Sequence, residues 1–176
     1  MLGRITYCLA LVLALSPAAA AQEGRGPSTA EERAKTVRLA RELENDPLGD
    51  SAGSSRAWLI DFVKNVPDID IVICSSLLAE LFKTEESYAA ELSIQPVFSE
   101  AAFVIEHPES AKDLTAVLVA GVKGTLRAYE SILKAEPKAR HKFLDGLIEK
   151  RDKDELEEWV AETAKVACTA PKKPIK

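Results

Sequence analysis

Two cysteines, Cys74 and Cys168, lie far apart in a chain whose first residues read as an export signal. That combination restricts the fold more than any other feature. In an oxidising compartment, pairing is the default fate of two thiols. A bridge between them closes a loop of roughly a hundred residues, so the segments that carry them must meet across the finished core. In the chain-entropy account such a closure contributes about 4–5 kcal/mol, comparable with the whole stability of a small domain. Redox-active pairs usually sit two residues apart at a helix start, which these do not.

The export signal occupies residues 1–21. Arg4 supplies the basic start and Ile5–Leu15 an apolar stretch too short to span a bilayer. Ser16-Pro17 breaks it, and Ala18–Ala21 offers small residues for cleavage after Ala20 or Ala21. Cys8 belongs to the segment that would be removed, and no cysteine follows the cleavage region to carry a lipid. The expected compartment is therefore periplasmic or secreted. The alanine-rich cleavage region and the lack of an N-x-S/T acceptor lean towards a bacterial cell envelope. The whole chain carries a formal net charge of −5, and loss of Arg4 adds to the acid excess. An acidic chain of this kind disfavours nucleic acid and anionic lipid, both of which need basic surface. No later apolar run approaches the length of a membrane span.

The mature part divides into a disordered polar leader (22–27), a helical domain (28–170) and a flexible basic tail (171–176) holding Lys172, Lys173 and Lys176. Ser28 and Thr29, followed three residues on by Glu31 and Glu32, form overlapping capping-box patterns that start a helix running to about Asn45. Its apolar stripe (Ala30, Ala34, Val37, Ala40, Leu43) is narrow, which predicts a surface helix. Asp46–Ser55 is dense in turn formers and reads as a loop, with a helix from about Ser55 to Asn65.

Ile69–Phe82 is ambiguous. The alternation of Ile69, Ile71 and Ile73 suggests a strand, but helical spacing catches more residues, and no second strand exists to pair with. A buried helix is expected, with Asp68 as its N-cap and Asp70 in its first turn. Pro96 should divide 86–107 into a short and a longer helix. Asp113–Glu136 holds the longest helix, with Leu114, Val117, Leu118, Gly121, Val122, Thr125, Tyr129 and Ile132 on one face. Gly121 and Gly124 cost roughly 1 kcal/mol each in helix propensity, which a close crossing by a neighbouring helix would explain. Shorter helices follow, one marked by Phe143, Leu144, Leu147 and Ile148 and the last running from about Asp154 to Ala167. The expectation is an all-α, single compact bundle of seven to eight helices, clamped by a Cys74–Cys168 bridge.

The stretch LRAYESILKAEP, with Tyr129 and Pro137 eight residues apart, resembles the end of a tetratricopeptide repeat. Thr125 and Ile132 stand where the repeat has alanines, Asp113 where it has glycine or alanine, and nothing recurs about thirty-four residues away. The resemblance implies at most a degenerate helical-hairpin interaction module.

Few motifs carry chemistry. Gly49-Asp50-Ser51-Ala52-Gly53 matches the G-x-S-x-G nucleophile elbow, which would make Ser51 the nucleophile of a small hydrolase. The elbow requires a strand-to-helix turn above a sheet, and no sheet is expected. Glu106-His107-Pro108-Glu109 places a histidine among carboxylates, too few ligands for zinc; a helix C-terminus, where the macrodipole favours positive charge, explains it. His141 lies among Lys138, Arg140 and Lys142 and should be exposed. Asp61, Asp68 and Asp70 lack the spacing of a calcium loop. With no catalytic, metal or cofactor set, the favoured reading is an exported, non-enzymatic binding or interaction protein. Its ligand would be a protein, a peptide or a small apolar molecule held between helices. A groove beside Gly121, Gly124 and Tyr129, where the helix surface is thin, is the candidate binding surface. A hydrolase centred on Ser51 or His107 is the alternative.

Overall fold

The structure is a computed structural model that describes residues 25–83 and 88–168. The export signal, Cys8, residues 22–24 of the leader and the basic tail lie outside those residues. Six α-helices and two 3₁₀ stretches make up the described chain, with no strand among the described residues. They are α1 (Ala30–Asn45), α2 (Ala52–Asn65), a 3₁₀ segment (Ser75–Phe82), α3 (Ala89–Glu106), a 3₁₀ turn (Pro108–Ser110), α4 (Leu114–Ala135), α5 (Lys142–Asp152) and α6 (Leu156–Ala167).

The longest helix, α4, is the axis. Most of its circumference is buried, because α1, α3, α5 and α6 all pack on it, while Lys123, Arg127 and Lys134 stay exposed on the remaining face. Leu118, Leu126 and Ile132 of α4 join Leu144, Leu147 and Val160 in the larger core. Leu39, Leu43, Leu59 and Phe98 form a second cluster between α1, α2 and α3. Cys74 and Cys168 are bonded, with Cα atoms 5.4 Å apart, so the last residue of the α6 region is tied to the chain entering the 3₁₀ segment.

Two overlapping capping boxes were available at the start of α1, and the chain uses the second. The Thr29 hydroxyl accepts from the Glu32 N–H, and the Glu32 carboxylate accepts from the Thr29 N–H. The helix is not a surface helix. Ala30 and Ala34 of the anticipated stripe are exposed, while Thr36, Leu39, Ala40, Leu43 and Glu44 are buried against α3 and α4. Two polar residues widen that face, and hydropathy alone places them outside. The leader is also less free than its composition suggests. Arg25 pairs with Glu32, and the Ser28 N–H and hydroxyl both donate to the Asp68 carboxylate, at 2.8 and 2.9 Å.

The buried helix anticipated over 69–82 does not form. Residues 69–74 carry no helix, and the chain then takes 3₁₀ geometry with a kink at Leu78. Ile69, Leu77, Leu78 and Leu81 are buried, but Ile73 is 63% exposed, so the apolar residues do not share one helical face. β-branched side chains in Ile69, Ile71, Val72 and Ile73 lower helix propensity along the run. Asp68 consequently has no helix to cap. Its carboxylate binds Ser28 and, at 2.7 Å, Arg33. The Ser28 N–H and these side-chain partners hold its pKa down, at about 2.

Pro96 does not divide its region either. It sits inside the continuous helix α3, where its ring removes the hydrogen bond that an N–H at this position would give to the Leu92 carbonyl. Packing of α3 against both α1 and α4 maintains the helix through the defect.

Candidate functional site

Where α3 leans on α4 beneath the segment leading to the 3₁₀ turns, a cavity of about 270 Å³ remains. Ile73, Cys74, Leu77 and Leu78 form one wall. Ile94, Pro96 and Val97 of α3 form another, and Leu118 and Val122 of α4 the floor. The half of the Cys74–Cys168 bridge that faces it fixes the first wall, and exposed Ile73 marks its outer rim.

One charged-type residue enters this lining, Glu100 of α3, which is only 3% exposed. Its Oε1 lies against the backbone of α4: a Cβ added at Gly121 would stand 2.6 Å from it. Its Oε2 is buried and has no hydrogen-bond partner among the described residues. Burial without a neighbouring cation pushes the carboxyl well above the ordinary carboxylate range, favouring the neutral acid. A largely apolar cavity with a few polar groups, one of them of perturbed acidity, is the usual form of a small-molecule site.

A second buried acid shows the contrast. Glu44 of α1 accepts from Arg127 Nε at 2.8 Å, from Ser99 Oγ at 2.7 Å and from Arg41 at 2.6 Å. Burial alone would raise its pKa, but the bonds from Arg127 and Ser99 and the two positive charges outweigh that and hold it low. Gln95 extends the network to Ser99 at 3.2 Å. These groups satisfy the Glu44 carboxylate and join α1, α3 and α4.

The glycine groove is occupied. A Cβ at Gly124 would fall 1.9 Å from Ser99 Oγ and 2.7 Å from Glu44 Oε1. The space over Gly121 and Gly124 is therefore taken by α3 and the Glu44 network, the close crossing that their low helix propensity implied. Tyr129 is fully buried; its hydroxyl accepts from the His141 N–H at 2.7 Å and donates to Asp145 at 2.9 Å, closing the turn between α4 and α5. None of the three presents an open surface. Tyr129, one of the residues that carry the tetratricopeptide resemblance, thus serves the junction of α4 and α5.

Ser51 stands at the N-cap of α2, exposed, with its side chain making no capping bond, and α2 begins at Ala52 rather than near Ser55. Gly53 is inside the helix, so the strand-to-helix elbow is missing. The adjoining cavity is lined by Arg38, Arg41, Glu42, Asn45 and Asp46 among others, with no histidine. His107 caps the end of α3, exposed, 3.6 Å from Glu109. His141 is buried, not exposed as its lysine and arginine neighbours suggested: the bond to Tyr129 draws it in, and its ring packs edge-on to Phe143. Together with Trp159 these two line an open cleft of about 630 Å³. The described residues hold no cluster of three or more His, Cys, Asp or Glu fit for a metal, and no described helix is long and apolar enough to cross a membrane.

Glu100 is the functional candidate that reading the sequence missed. The signal was present: it stands at helical spacing within Val97, Ala101 and Val104, the one acid on an apolar stripe. Comparison with protein-family models, with curated proteins and with solved structures finds no match.

Proposed function

We propose that this chain is an exported, non-enzymatic helical binding protein of the cell envelope, and that the cavity between α3, α4 and the 3₁₀ segment takes a small apolar molecule. The observation that carries the reading is the cavity with Glu100 in its lining: a largely apolar space whose one acidic residue has an oxygen without a hydrogen-bond partner among the described residues. Its volume equals about nine water-sized groups at roughly 30 Å³ each, which limits the occupant to a small molecule. The bridge between Cys74 and Cys168 supports a periplasmic or secreted location, because such bonds persist in oxidising compartments.

Cumene, an apolar molecule of matching size, tests the reading. A ligand that binds only the native state raises the melting temperature in a concentration-dependent way. Cumene should do so for the wild-type protein. Ile94→Trp, which fills the cavity from the half-buried wall of α3, should keep its helical spectrum and lose the shift. No shift in the wild type, or an equal shift in both proteins, overturns the reading.

A further inference from the structure

We propose, resting on the cavity reading above, that the site selects a small neutral molecule with an apolar body and one hydrogen-bond acceptor, such as a ketone, aldehyde or ester, seated against the Glu100 carboxyl. The argument begins with what surrounds that side chain. Oε1 lies close to the α4 backbone at Gly121, and Oε2 is buried without a hydrogen-bond partner among the described residues. A buried carboxyl left unpaired is costly, so a ligand that meets it, with the side chain turning to present its O–H to the cavity, recovers that cost on binding. A buried carboxylate with no cation beside it is far more expensive than the neutral acid, which makes the group an O–H donor. The remaining polar lining consists of Ser75 and Ser93, hydroxyls that make no bond to Glu100 among the described residues. Ser93 Oγ already donates to the Ala90 carbonyl, and Ser75 lies exposed at the rim.

An amine ligand is the contrary case. It would take the proton from Glu100 and leave a buried ion pair, whose desolvation offsets most of its Coulomb attraction. A pure hydrocarbon would fill the volume and leave Oε2 unpaired. Shape does not separate the three, so chemistry at Glu100 must.

Cumene, acetophenone and 1-phenylethylamine share one outline and differ only in a methyl, a carbonyl oxygen or an amino group. Cumene binding to the wild type tests the cavity alone, so its failure sinks the function and not merely the ligand class. The inference is read from the acetophenone-to-cumene affinity ratio, measured by titration at neutral pH. Glu100→Leu should lower that ratio about tenfold, as loss of one buried hydrogen bond implies. Glu100→Gln, which keeps a donor, should hold it within about threefold. In the wild type the infrared carbonyl stretch of bound acetophenone should lie below its value in alkane, a readout that needs no variant to fold. An unshifted stretch, an unchanged ratio in Glu100→Leu, or tighter binding of the amine than of the ketone overturns the proposal while leaving the cavity reading intact.

Discussion

At the scale of single residues, two buried glutamates decide more than any surface charge. Glu44 has three hydrogen-bond donors around it and Glu100 has none at Oε2, although both are almost wholly enclosed. Environment, not residue type, sets their opposite acidities. Because the Glu44 carboxyl is held low in the native state, its contribution is present above the unfolded carboxylate pKa, near 4.5, and is lost as pH falls through the lower native value. Glu44→Gln should therefore cost about 2–4 kcal/mol in urea unfolding at pH 7, the penalty of breaking a buried pair, softened by the partial exposure of Arg41 and Arg127. The difference should shrink below pH 4. A pH-independent difference would remove the charge network from the explanation. The sequence places Glu44 in a helix but gives no hint that it is buried, since its partners Ser99 and Arg127 are 55 and 83 residues away.

Among the elements, α3 and the segment before it show where local rules yield. The end of α1, the start and end of α4, and the breaks at Pro47 and Pro137 all follow from caps, apolar period and proline. Pro96 violates the same rules because α3 is held on two sides, by α1 and α4. The proline also lines the cavity, so the weakened turn of α3 and the open space coincide. Pro96→Ala should restore the bond to Leu92 and raise stability by about 1 kcal/mol, part of the gain being offset by lost ring packing. Destabilisation on chemical denaturation would mean that the ring's contacts outweigh the missing bond. The 69–82 region failed in the other direction. Its composition fits a buried helix, yet Ile73 faces outward and the chain passes Cys74 on its way to the bridge. Helical periodicity counts apolar residues; it does not register that β-branched neighbours and a covalent tether favour another path.

For the whole molecule, the bridge joins the chain's middle to its last described helix, across 94 residues. Its removal in a Cys74→Ser, Cys168→Ser double variant should lower stability by about 4–5 kcal/mol, from the loop it closes. Equilibrium unfolding measures that loss, and a change under 1 kcal/mol would show that packing alone aligns α6 with the 3₁₀ segment. The same bridge backs one wall of the cavity, so fold and proposed site share a constraint.

The amino-acid order by itself determined the all-helical class, most of the helix limits and the pairing of Cys74 with Cys168, because each rests on local chemistry or on there being only two cysteines outside the expected export signal. It also implied that something crosses tightly at Gly121 and Gly124. Tertiary structure alone decided that α3 and the Glu44 network fill that place, that His141 is buried and that 69–74 is not helical. It alone decided that Glu100 stands at a cavity with Oε2 unpartnered among the described residues. Those outcomes depend on which distant side chains meet, and partner identity across a core is set by the packing of whole helices, not by the neighbours of any one residue.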